Sequence, residues 1–263
     1  MELDVLGILV LIITGFLAGT LGGLLGIGGC VIIMPVIRFL FHFPPTLMVG
    51  TSLAAVVFTS ASGAWNHWRI RNIDKKTAII FAGSGVIGII IGSVVFSSIV
   101  QYGLLIDLII GLAFLWPALR MLNEGLLPQK AAVITGKEIS GGTVAKSIIG
   151  SSVGFLTGVT GLCGGYALVP LSMYVLKSNM KIAIGTSLAS FLWFALLGAA
   201  IKYSQGFVNV PAALVLGISA AIGAVYGVKI MQKLNIPILK LIFGLIILYV
   251  SAKYILLYFG IRI

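Results

Sequence analysis

The stretch from Gly15 to Pro35, GFLAGTLGGLLGIGGCVIIMP, decides how this chain folds. It lies inside the apolar run from Val5 to Leu40, too long for one membrane crossing of ~20 residues and too short for two full ones. Its middle holds Gly19, Gly22, Gly23, Gly26, Gly28 and Gly29. Glycine weakens a helix by ~1 kcal/mol per residue, so this density predicts a helix that breaks and turns within the bilayer. A broken helix exposes backbone N–H groups with partial positive charge, which makes the turn a candidate anion cradle. Small residues four apart also let helices pack closely, and one copy of the pattern does not separate these two uses.

A second copy of the pattern lies further along the chain. Adding 135 places Gly19, Gly23, Gly26, Gly29 and Pro35 on Gly154, Gly158, Gly161, Gly164 and Pro170, and Gly50-Thr51-Ser52-Leu53-Ala54 on Gly185-Thr186-Ser187-Leu188-Ala189. Gly63, Gly88 and Gly92 then fall on Gly198, Gly223 and Gly227. After a shift of two, Gly111 to Leu115 lies over Gly244 to Leu248. So many coincident glycines mark an internal duplication, with repeats at 1–130 and 144–263 joined by a linker at 131–143.

Composition sets the class. Hydrophobic residues make up 60% of the chain and charged residues 9%, and mean hydropathy is +1.19, which leaves too little polar surface for a soluble domain. No Lys or Arg precedes the first apolar run, so a cleaved signal peptide is not expected. Two cysteines, both within glycine clusters, offer no disulfide framework and no metal-ligand spacing. The net charge of +11 does not point to nucleic acid, because Lys and Arg sit in short loops beside apolar segments.

Apolar segments at 5–40, 46–65, 77–98, 103–122, 144–176, 181–201, 208–229 and 237–259 give four per repeat. If the first of each repeat enters and returns on one side, the repeats are inverted. With the basic loop Asn66 to Lys76 placed inside, the inverted arrangement puts 13 of the 17 Lys and Arg inside, against 11 for the parallel one. The expected fold is an all-α integral membrane protein of two four-segment inverted repeats, the first segment of each a glycine-broken re-entrant or hairpin helix. It would sit in the cell (inner) membrane with both termini outside.

Secondary transporters of this plan bind solute at the ends of half-helices near the membrane midplane. The candidate substrate-binding residues are therefore Gly26, Gly28, Gly29 and Cys30 in the first copy, and Gly161, Cys163, Gly164 and Gly165 in the second. Thr51-Ser52 and Thr186-Ser187 begin the next helices, where their hydroxyls can either cap the helix or face the site. His67 and its mate Lys202 are candidates for attracting an anion at each mouth, or else plain interfacial anchors. Asp107, the acid within a segment, is expected at the interface.

GFLAGTLGGLLGIGGCVIIMP with its later GTSL, repeated as GFLTGVTGLCGGYALVP with a second GTSL, resembles the sulfite exporter TauE/SafE family of membrane transporters. HWRIRNIDKKTA and YSQGFVNVPAAL resemble that family's connector between the second and third segments of each repeat. The resemblance implies export or import of small sulfur-containing or organic anions, such as sulfite, sulfoacetate or related sulfonates; the leading reading is a secondary transporter that exposes a site between the repeats alternately, and no cofactor or metal is expected. Cys30 and Cys163 each replace a glycine of the family pattern, either as small packing residues or in contact with substrate. The competing classes are an anion channel of the same architecture and a thiol-dependent membrane enzyme. The enzyme ranks last, since neither cysteine has a His or carboxylate near it in sequence. The lipid bilayer and a small anionic solute are the expected partners, and nothing in the sequence specifies an interface for a homodimer.

Overall fold

The computed structural model describes residues 4–126, 138–233 and 236–260. Most of the 131–143 linker lies outside them. Among the described residues there is no strand, and every element is helical.

Helix α1 (Val5–Leu25) starts where the Asp4 carboxylate accepts the Gly7 N–H at 2.8 Å and stops at Gly26, whose φ of 73° is left-handed. A short α2 (Cys30–Pro35) runs into one π-helical turn, Val36–Leu40, at Pro35, which has no N–H to donate. Helix α3 (Pro45–Arg69) begins with proline in the first turn, where a missing N–H costs nothing, and α4 (Lys75–Ile99) begins under the Asp74 cap. Helix α5 (Gly103–Leu126) completes the first set. The second set is α6 (Thr143–Thr160), α7 (Gly165–Tyr174), α8 (Met180–Ser204), α9 (Val210–Met231) and α10 (Ile236–Tyr258). Adding 135 to both ends of α3 gives both ends of α8, and the same shift takes the starts of α2 and α4 to those of α7 and α9.

Six helices, α1, α3, α4, α5, α8 and α9, are long and apolar enough to cross a membrane, so this is a multi-pass membrane protein. Their outer faces carry bare apolar side chains such as Ile79, Val94 and Leu112. Helices α3 and α8 are the most enclosed and lie at the centre. Helix α1 packs on α9, α4 on α6 and α5 on α10, and α3 touches both α8 and α9. Without a hydrophobic drive between helices in lipid, these contacts rest on small residues that bring backbones together. Gly19 and Gly23 of α1 lie against the backbone of Ala220 and Ala224, and their mates Gly154 and Gly158 of α6 against that of Gly85 and Ile89. These glycines serve packing. Those at Gly26 to Gly29 serve the turn.

Candidate functional site

The two turns meet face to face at the centre of the bundle. A Cβ at Gly165 would overlap the carbonyl oxygen of Gly26, and one at Gly28 would come within 2.9 Å of the Cys163 side chain. Ser187 donates from α8 to the Gly26 carbonyl at 3.0 Å. Gly26 and Gly161 turn the chain in the same way, with φ of 73° and 70° and an N–H bonded back to Gly22 and Thr157. The copies then diverge: Gly28 and Gly29 are also left-handed, whereas Cys163 and Gly164 are not. A side chain is therefore tolerated at 163 and not at 28.

The pairing of the cysteines corrects the expectation of no disulfide. Cys30 and Cys163, both fully buried, are disulfide-bonded across the two turns with Cα atoms 5.8 Å apart. Each sulfur also accepts the other's backbone N–H, at 3.0 Å from Cys30 and 2.6 Å from Cys163. Two of the N–H groups that the sequence offers to an anion are therefore already engaged.

The other candidates are distributed differently. Thr51 accepts the N–H of Asn209 at 2.9 Å, and its mate Thr186 accepts that of Asp74 at 3.0 Å. Each threonine thus ties down the N-cap of a helix in the other repeat instead of capping its own helix. Ser52 bonds within α3, to the Val49 carbonyl. His67 and Lys202 are both fully buried, not exposed at a mouth. The His67 Nε2 donates to the Gly23 carbonyl at 3.2 Å, because a carbonyl can only accept. The Lys202 Nζ lies 3.4 Å from the Phe96 ring centre and has no hydrogen-bond partner among the described residues. Asp107 is fully buried in a bidentate pair with Arg38, at 2.5 and 3.1 Å, and Arg38 also donates to the Phe43 carbonyl. Its burial within the protein is compensated by that partner, which spacing along the sequence does not reveal.

A cavity of about 50 Å³ reaches the turns from one side. Leu25 and Ile27 of the first turn and Tyr166 of the second form its inner wall, Met121, Met173 and Ile247 its flanks. Tyr166 has a buried hydroxyl with no hydrogen-bond partner among the described residues. At the outer end Arg120 pairs with Glu124 at 3.0 Å and stacks 3.3 Å from the Tyr174 ring centre, whose hydroxyl donates to Glu124. The corresponding place at the other end of the duplication is filled. There Tyr254 (mate of Met121) and Phe114 (mate of Ile247) are fully buried, and Arg38 (mate of Met173), 18% exposed, is tied to Asp107. The Tyr254 ring lies 4.9 Å from Phe39 and its hydroxyl bonds the Met48 sulfur at 3.1 Å. Lys253 over Phe39, at 4.8 Å, repeats Arg120 over Tyr174.

Outside the membrane helices, Asp74 organises the connector before α4. Its carboxylate accepts from Thr77 N–H and Oγ1 and from the Ile139 N–H, and Lys146 bonds both Thr77 and the Ile139 carbonyl. Burial pushes this carboxyl up, but those hydrogen bonds and the Lys146 charge together hold it below the usual carboxylate value. Its mate Asn209 caps α9 with a neutral amide, accepting the Ala212 N–H. Sequence reasoning missed Tyr166, Arg120, Glu124, Tyr174 and Asp74; of these only Tyr166, next to Gly165 in the second motif, stood beside a recognisable signal.

An apolar helical bundle with six candidate spans and two internal glycine turns defines a polytopic membrane protein. The family model described as Sulfite exporter TauE/SafE matches residues 11–254, and the chain belongs to that family of membrane transporters. Among curated proteins it is 29% identical to the probable membrane transporter protein YdhB of Bacillus subtilis, over 88% of this chain and 94% of that one. It is likewise 29% identical to the probable membrane transporter protein YunE of the same organism, over 96% and 98%. Identity is again 29% to the probable membrane transporter protein MJ0441 of Methanocaldococcus jannaschii, over 86% of each. No solved structure matches.

Proposed function

We propose that the protein is a secondary transporter for a small sulfur-containing or organic oxyanion, which it binds where the two glycine turns meet. In this reading 1–130 and 144–263 are inverted repeats in the cell membrane, both termini face outward, and the repeats rock to expose the site alternately. The carrying observation is the unequal pair of ends: a cavity reaches the turns past Arg120 and Tyr174, while the mate position is filled by Tyr254, Phe114 and the Arg38–Asp107 pair. A path open to one side and sealed on the other is what alternating access requires of any single state. The partial positive charge of the turns' remaining N–H groups and the unpartnered Tyr166 hydroxyl support a negative solute, while Arg120 at the entrance is already neutralised by Glu124.

The test is a proteoliposome screen over sulfite, sulfate, thiosulfate, short sulfonates and carboxylates, with and without pH and sodium gradients. Saturable uptake stimulated by the same solute on the far side is expected. Large ohmic currents without such stimulation would point to a channel, and no flux of any oxyanion would remove the reading.

A further inference from the structure

On the outer surface of the bundle, between α4 and α8, lies a groove of about 610 Å³. Ala78, Ala82, Gly83 and Ala189 line it between the indoles of Trp68 and Trp193, and Lys75, the first residue of α4, closes one end. A Cβ added at Gly83 would meet nothing within 4 Å. Beside that end, Arg69, Arg71 and Lys76 are exposed, and none of these four cations is in an ion pair among the described residues. The acid among them, Asp74, is buried and already bonded to Thr77 and Ile139.

The duplication supplies an internal control. Adding 135 replaces Lys75 by Val210, Gly83 by Ile218 and Ala82 by Gly217, while Trp193 becomes Phe58. On that face the Phe58 ring lies against Gly217, and a Cβ there would overlap it. The groove and its cations occur together on one face, and on the other the mates of the four cations are Ser204, Gly206, Val210 and Pro211.

Both helices are candidate membrane spans, so an occupant along the Ala and Gly floor is in hydrocarbon, while Lys75 and its neighbours stand at a helix end, at headgroup depth. We propose that the groove binds one anionic phospholipid, with its phosphate at Lys75 and the neighbouring arginines and an acyl chain laid along α4 toward Val86. A second copy docked here about a twofold axis would bring the same cation cluster against itself, so charge favours lipid. The proposal does not depend on which solute is carried.

The test uses the full chain with Trp65→Phe and Trp116→Phe, so that only Trp68 and Trp193 fluoresce, in phosphatidylcholine vesicles doped with brominated phosphatidylglycerol or brominated phosphatidylcholine. Stronger quenching by the anionic lipid is expected, with a preference that weakens in high salt. Lys75→Gln should reduce that preference about fivefold, and Gly83→Phe, on an exposed position, should abolish it by filling the groove. Ile218→Ala on the mate face should leave it unchanged. Equal quenching by the two lipids would overturn the proposal, as would a preference that survives Arg69→Gln, Arg71→Gln and Lys75→Gln together. Absence of quenching by either lipid, as a second copy covering the groove would cause, would overturn it too.

Discussion

On one side of the paired turns Met121, Met173 and Ile247 leave a cavity; at the duplicated positions Tyr254, Arg38 and Phe114 fill the space. The backbone elements correspond helix for helix, and a cation stacks on an aromatic ring at both ends. What differs is side-chain volume and how tightly the charges are held. Arg120 and Glu124 are partly exposed, whereas Asp107 is fully buried against Arg38. The duplication thus provides the same scaffold twice, and substitution at a few positions leaves a cavity at one end and bulky, buried side chains at the other.

The turns give the largest effect. Gly165→Val, whose Cβ would overlap the Gly26 carbonyl, and Gly28→Cys, at a φ of 75°, should each abolish a monodisperse peak in detergent chromatography. Cys163→Gly, at the mate of position 28, opens the Cys30–Cys163 disulfide and should do no more damage than Cys30→Ala, both keeping that peak, because residue 163 lies outside the left-handed region. Equal damage from Gly28→Cys and Cys163→Gly would mean that the two turns are not distinct in this way.

The seal comes next. Asp107→Asn leaves Arg38 without its counter-charge at depth and should cost about 3–5 kcal/mol, read as a lowered thermal midpoint. Glu124→Gln removes a partly exposed partner at the open end and should cost no more than about 1 kcal/mol. Similar losses from the two would erase the contrast.

The smallest effect lies in the connectors. Asp74 has a folded-state value below its unfolded one, so its stabilisation is complete above the unfolded value, near pH 4, and is lost as pH falls through the lower folded value. Asn209 does the same capping without a charge. Unfolding midpoints followed from pH 6 downward should therefore drop less steeply in Asp74→Asn than in the parent. Asn209→Asp should add acid sensitivity.

The helical membrane architecture and the duplication were legible because apolar runs and glycine spacing are properties of the chain alone. The division of labour among the glycines was not. Gly19 and Gly26 look alike in sequence, since packing and turning both require the absence of a Cβ, and only φ and the neighbouring backbone separate them. The Cys30–Cys163 pairing was missed because 133 residues separate the two cysteines and only the docking of one turn on the other joins them. His67 and Lys202 read in sequence as mouth residues or interfacial anchors, but α3 and α8 are the central helices and enclose them. Thr51 and Thr186 recur for a structural reason, each holding a connector of the opposite repeat.

Alternating exposure of a site at the turns is tested most directly by two spin-label distances in liposomes. One runs from Leu119 to Val175 beside the cavity, the other between their mates Ala252 and Leu40 beside the filled end, all four being exposed positions. On adding a transported anion, the first distance should shorten as the second lengthens. Distances that stay fixed, or that widen together, would contradict the account.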